Sequence, residues 1–153
     1  MEYDGVGMSL RSTASGGRRP RVVLADDHPG IREEIRLLLA REFEVAGSVG
    51  EGHALLAEVA RLRPDAVISD IRMPLLDGLE ASRRILRQGL CSAIIILTVC
   101  NEPQLVDNAL KSGIRGYVLK QDAGEELTLA VHIVTGGGAY ISSGVHYSLD
   151  ALL

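Results

Sequence analysis

The chain has 153 residues, enough to bury one ordinary core and little more, so one domain with one functional site is expected. Its 46% hydrophobic and 24% charged residues are globular in kind and exclude a disordered or membrane-embedded chain, while 3% aromatics demand an aliphatic core. A net charge of -4, with no basic stripe interleaved with aromatics, argues against tight nucleic-acid binding by this piece.

Residues 1–20 are rich in Gly, Ser and Arg without an apolar period and read as a flexible extension. Glu2 and Asp4 and the lack of an apolar core there argue against a signal peptide. Cys91 and Cys100 flank one apolar run, and as a strand it would hold them roughly 30 Å apart, beyond disulfide reach. Free thiols fit a reducing compartment, and the chain reads as cytoplasmic, away from membranes.

From Arg21 onward, short β-branched runs at 22–25, 45–49, 66–69, 94–97 and 117–119 alternate with amphipathic segments. Helical spacing joins Ile31, Ile35, Leu38 and Leu39, then Leu55, Val59 and Leu62. A less regular helix over 78–88 rests on Leu79, Ile85 and Leu86. Two more follow, on Leu105, Ala109 and Leu110, and on Leu127, Val131 and Val134. Gly89, Gly113 and Gly136 stand where helices should stop. Five βα units with right-handed crossovers imply a doubly wound parallel α/β sheet of flavodoxin-like (βα)5 type, strand order 2-1-3-4-5. The domain is expected over 21–137, with 138–153 a tail or the start of a linker, since no period is evident there.

Asp26-Asp27, Asp70, Thr98 and Lys120 each close or follow a different apolar strand. In a parallel sheet these positions share the carboxyl rim, where ligands of open α/β sheets bind. Singly, each has a plainer reading: a helix cap for Asp26 or Asp27, a strand-end residue for Thr98, a snorkelling lysine for Lys120. Together they form a pattern. Three carboxylates in one cleft repel unless a cation is present, and an all-oxygen donor set suits Mg2+. Thr98 and Lys120 could then neutralise phosphoryl oxygens, leaving Asp70 as a carboxylate nucleophile that forms an acyl phosphate. His28, His53, His132 and His146 show no ligand spacing and are assigned to neither metal nor catalysis.

The motifs Ala25-Asp26-Asp27-His28-Pro29, Ser69-Asp70-Ile71-Arg72-Met73-Pro74, Asp77-Gly78, Leu97-Thr98 and Tyr117-Val118-Leu119-Lys120 resemble the receiver domain of bacterial two-component response regulators, over residues 21 to 141. Lys120-Gln121-Asp122-Ala123 and Gly137-Gly138-Ala139-Tyr140-Ile141 resemble the NarL/FixJ (LuxR-type) subfamily. The resemblance implies that Asp70 is phosphorylated by a sensor histidine kinase with Mg2+, held by Asp26, Asp27, Asp70 and the Arg72 backbone carbonyl. It makes Thr98 and Lys120 phosphoryl contacts, and Thr98 with Tyr117 a switch acting on the face of the fourth helix, fifth strand and fifth helix. Such a module is not a conventional enzyme, although it assists its own phosphorylation and dephosphorylation. Transcriptional output would pass through a DNA-binding effector domain not included in these residues, the alternative being a single-domain regulator, with homodimerisation on phosphorylation as a further expectation.

Val99 after Thr98 and Gln121 after Lys120 depart from common receivers and point to altered phosphorylation kinetics. Tyr117 also has a plainer reading, as a half-buried strand tyrosine. Two rivals remain: a pseudo-receiver that signals without phosphorylation, and a haloacid-dehalogenase-type phosphatase, whose Asp-x-Asp is broken here by His28. A flavodoxin is disfavoured because the acidic first loop is unsuited to phosphate.

Overall fold

A computed structural model describes residues 18–152. The expected extension therefore lies, up to residue 17, outside the described residues. Six strands, β1 (Arg21–Ala25), β2 (Glu44–Val49), β3 (Ala66–Ser69), β4 (Ile94–Thr98), β5 (Gly116–Leu119) and β6 (Tyr140–Ile141), form one parallel sheet in the order 2-1-3-4-5-6. The flavodoxin-like order is as expected, extended by an edge strand that the sequence pattern does not announce.

Strand alternation divides the core. Val23, Ala25, Val67, Ile94, Ile96, Tyr117 and Leu119 point to the layer of α2 (Gly52–Leu62), α3 (Gly78–Arg87) and α4 (Pro103–Lys111). Val22, Leu24, Ala66, Ile68, Ile95, Leu97 and Val118 face α1 (Pro29–Leu39) and α5 (Ala123–Thr135). β3, β4 and β5 are buried along their whole length, as parallel strands covered on both sides must be.

Local chemistry sets the helix ends. Pro29 and Pro103 open α1 and α4, Glu51 caps α2 by accepting from the His53 and Ala54 amides, and Asp77 caps α3 by accepting from the Glu80 amide at 2.8 Å. Gly89 and Gly113 follow their helices at positive φ, whereas after α5 Gly137, not Gly136, takes that conformation. No helix among the described residues is long and apolar enough to cross a membrane.

The segment without sequence periodicity folds back onto the domain. β6 pairs with β5, and a short 3-10 helix, Leu149–Leu152, packs on α4.

Candidate functional site

Four strand ends supply the polar residues of the rim: Asp26 and Asp27 after β1, Asp70 after β3, Thr98 at the end of β4 and Lys120 after β5. The Asp26 amide donates to the Val49 carbonyl at 3.0 Å and the Asp70 amide to the Ala25 carbonyl at 3.0 Å, so the sheet ladder itself fixes where the carboxylates begin. The backbone approach is close on the far side of Asp70. A Cβ on Gly78 would stand 1.7 Å from the Asp70 carbonyl oxygen, and the Gly78 amide donates to the Ile71 carbonyl at 2.7 Å. Only glycine admits the start of α3 so near Asp70.

The side chains converge. Lys120, the first residue past β5, places its Nζ 2.7 Å from Asp26 Oδ2 and 2.7 Å from Asp70 Oδ2. Asp26 and Asp70 are almost wholly buried, at 2% and 7% exposure. Burial alone would lower the Lys120 pKa, but hydrogen bonds and charge attraction from Asp26 and Asp70 prevail and raise it. One ammonium is therefore shared by two carboxylates, which leaves an excess of negative charge that Asp27 at the exposed lip increases. The remaining carboxylate oxygens are partly engaged by backbone: Asp70 Oδ1 accepts from the Ile71 amide at 2.7 Å, and Asp26 Oδ1 from the His28 amide at 2.9 Å.

Asp26, Asp27 and His28 each offer a donor atom within 4.8 Å of the others, an arrangement able to hold a cation. His28 Nδ1 lies 3.1 Å from Asp27 Oδ1. Ligand spacing among the four histidines gave no hint of this, because His28 reaches the cluster through its adjacency to the acidic pair. Arg32 Nη1 donates to the Asp26 carbonyl at 2.7 Å and pins the same loop from α1. Arg72 lies exposed in the loop after β3.

Thr98 is buried at the end of β4, and its Oγ1 accepts from the Cys100 amide at 3.3 Å. Tyr117 is fully buried, not half-buried, and its hydroxyl donates to the Cys100 carbonyl at 2.5 Å. The difference arises because its β5 position faces the layer closed by α4 and the chain after β6. Burial, followed by the negative groups Cys100, Asp70 and Glu102, pushes the phenol pKa far above its ordinary value. Thr98 and Tyr117 are thus joined through both backbone groups of Cys100, a link no sequence pattern suggested. Val99, between them, is 70% exposed.

The response regulator receiver domain family matches residues 22–132. This chain belongs to that family. The receiver is 34% identical over 131 residues to the transcriptional regulatory protein DegU of Brevibacillus brevis, covering 84% of this chain and 56% of that protein. It is equally identical over 131 residues to the response regulator GacA of Pseudomonas viridiflava, covering 84% of this chain and 61% of GacA. The chain therefore spans little more than half the length of these relatives.

Among solved structures, the receiver superposes on the signal receiver domain of the putative response regulator NarL from Mycobacterium tuberculosis with a TM-score of 0.74 at 29% identity, covering 78% of this chain and 98% of that one. The isolated receiver domain of RcsB from Salmonella enterica serovar Typhimurium, in the presence of the phosphomimetic BeF3-, gives 0.76 at 30% identity, covering 84% and 96%. With these neighbours the receiver is of the NarL/LuxR response-regulator type.

Proposed function

We propose that Asp70 accepts a phosphoryl group from a phosphohistidine of a sensor histidine kinase. The observation that carries this reading is the single Lys120 ammonium held 2.7 Å from both Asp26 and Asp70, at the one rim where the strand ends converge. In the transfer, an Asp70 carboxylate oxygen bonds to phosphorus as the P–N bond of the donor breaks. The electron pair leaves on the imidazole nitrogen, and the leaving imidazole is neutral because its other ring nitrogen already carries a proton or because the departing nitrogen takes one from solvent. Hydrolysis reverses the gain: water attacks phosphorus and the Asp70 carboxylate departs.

The residues present fit Mg2+: the acidic groups are oxygen donors, and their charge exceeds what one lysine neutralises. Asp26, Asp27, Asp70 and the Arg72 backbone carbonyl would hold it. Bound there, Mg2+ supplies charge neutralisation for the phosphoryl oxygens. Lys120 exchanges a carboxylate partner for a phosphoryl oxygen, and the Thr98 hydroxyl turns from accepting the Cys100 amide to donating to a second one. Releasing that amide disturbs the Cys100 carbonyl that holds Tyr117, which is how arrival of the group reaches α4, β5 and α5.

The receiver acts as a cytoplasmic signalling module and not as an enzyme with a separate substrate. Its output passes to a DNA-binding effector domain in the full-length protein, with homodimerisation as a consequence of phosphorylation; the RcsB neighbour solved as dimers bound to DNA supports the dimeric, DNA-directed part of this reading. Incubation with acetyl phosphate, with and without Mg2+, tests the chemistry by intact mass. A phosphoryl-sized, Mg2+-dependent gain in the wild type and none in Asp70→Asn is expected. No gain in a folded, Mg2+-binding sample would favour a module that signals without phosphorylation.

A further inference from the structure

The chain after β6 makes contacts that the phosphoacceptor chemistry does not require. Its anchor is Ser142, 1% exposed. The Ser142 amide donates to the Tyr117 carbonyl at 2.9 Å, and its hydroxyl accepts from the Leu119 amide at 3.1 Å while donating to Glu126 on α5 at 2.8 Å. Further along, the Ser148 amide donates to Asp107 on α4 at 2.8 Å. Val145 and Ala151 are buried in the same cluster as Val106, Ala109 and Leu110 of α4 and Tyr117 of β5, and Tyr147 and Leu152 pack against it. One short segment therefore ties α4, β5 and α5 together and covers part of α4.

We infer that residues 142–152 form an intramolecular strap over the α4–β5 face that is shed when Asp70 is phosphorylated. The inference rests on the phosphoacceptor reading above and adds the element through which the face is masked. The coupling runs along bonds already described. Thr98 Oγ1 accepts from the Cys100 amide, the Cys100 carbonyl accepts from the Tyr117 hydroxyl, and the Tyr117 carbonyl accepts from the Ser142 amide. A second route is shorter still: Lys120, which leaves Asp26 or Asp70 to meet a phosphoryl oxygen, directly follows the Leu119 amide that Ser142 holds. Both routes end on the strap.

The strap is also the kind of segment that opens. It has one turn of 3-10 helix, two well-buried apolar side chains and its α4 attachment through one carboxylate, placing it at the low-stability end of the fold. Val145 and Ala151 belong to the same buried apolar cluster as Val106, Ala109 and Leu110, so release of the strap would withdraw part of the cover of that cluster.

Hydrogen exchange on the full chain, read by peptide mass in Mg2+ alone and in Mg2+ with beryllofluoride as a non-covalent phosphoryl mimic, tests the strap. Amides of 143–152 are expected to exchange several-fold faster with the mimic. In Asp107→Ala and Ala151→Asp they should exchange fast without it, while the loops after β3 and β4 still respond to the mimic. If those loops respond and 143–152 keeps its protection, the strap is overturned and the phosphoacceptor reading stands. If no peptide responds, including those around Asp70 and Thr98, that reading fails and the strap falls with it. Unchanged tail protection in both variants would also overturn it.

Discussion

The carboxyl rim and the chain after β6 both abut β5, yet they are held in opposite ways. At the rim, Asp26, Asp70 and Lys120 follow three strands, the Lys120 ammonium lies 2.7 Å from each carboxylate, and the ladder fixes the Asp26 and Asp70 backbones. After β6, a two-residue strand and one 3-10 turn are held by Ser142, by the Ser148–Asp107 bond and by a few buried side chains. Charge in a buried cleft makes the rim stiff and sensitive to any lost partner; the segment after β6 depends on individually modest contacts.

That contrast is broken most severely at Lys120. Lys120→Met leaves Asp26 and Asp70 facing each other without a cation, and the expected loss is on the order of 3 kcal/mol in urea unfolding without metal. Added Mg2+ should restore part of it, since a divalent ion takes over the neutralisation. Gly78→Ala comes next. Its new methyl meets the Asp70 carbonyl, so displacement of the loop should cost about 2 kcal/mol and slow phosphoryl acceptance. Thermal unfolding and intact-mass kinetics read the two effects.

Tyr117→Phe should cost about 1 kcal/mol, because the half-buried Cys100 carbonyl loses its donor, and the loop after β4 should exchange faster. The same two residues set the alkaline limb. Lys120 titrates higher in the fold than its ordinary 10.5, so its stabilisation is complete below about that pH and lost as pH climbs through the folded value. The Tyr117 phenol, also raised, keeps a proton that the unfolded chain releases above its ordinary 10.0, so stability falls in the same direction. Urea midpoints followed upward from pH 9 should decline, less steeply in Tyr117→Phe.

Leu75 should show the smallest effect. It is 86% exposed in the loop after β3, at a φ of 70°, with the Leu76 amide bonded to the Pro74 carbonyl across it. Leu75→Gly relieves that left-handed strain and loosens the unfolded chain, and the net change in unfolding free energy should stay within about 1 kcal/mol.

The same contrast explains what the sequence made legible. An apolar strand buried on both faces announces its own end, so Asp70 after Ile68-Ser69 and Lys120 after Val118-Leu119 could be placed on one rim without coordinates. The helix stops at Gly89 and Gly113 were local and equally readable. β6 was not, because two residues cannot display a period, and its pairing depends on bonds to Arg115 and Tyr117 across the fold. Ser142 looks like any loop serine until Leu119 and Glu126 surround it. Tyr117 was placed correctly on β5, but its depth depended on α4 and on the chain after β6 covering that face.

The central claim is that Asp70, rather than either member of the acidic pair, carries the phosphoryl group. Borohydride reduction of the protein after acetyl phosphate and Mg2+ treatment converts an acyl phosphate to the alcohol, and peptide mass then locates it. Modification confined to Asp70, and lost in Asp70→Asn, is the expected result. Modification at Asp26 or Asp27 in the wild type, or retained in Asp70→Asn, would contradict the assignment.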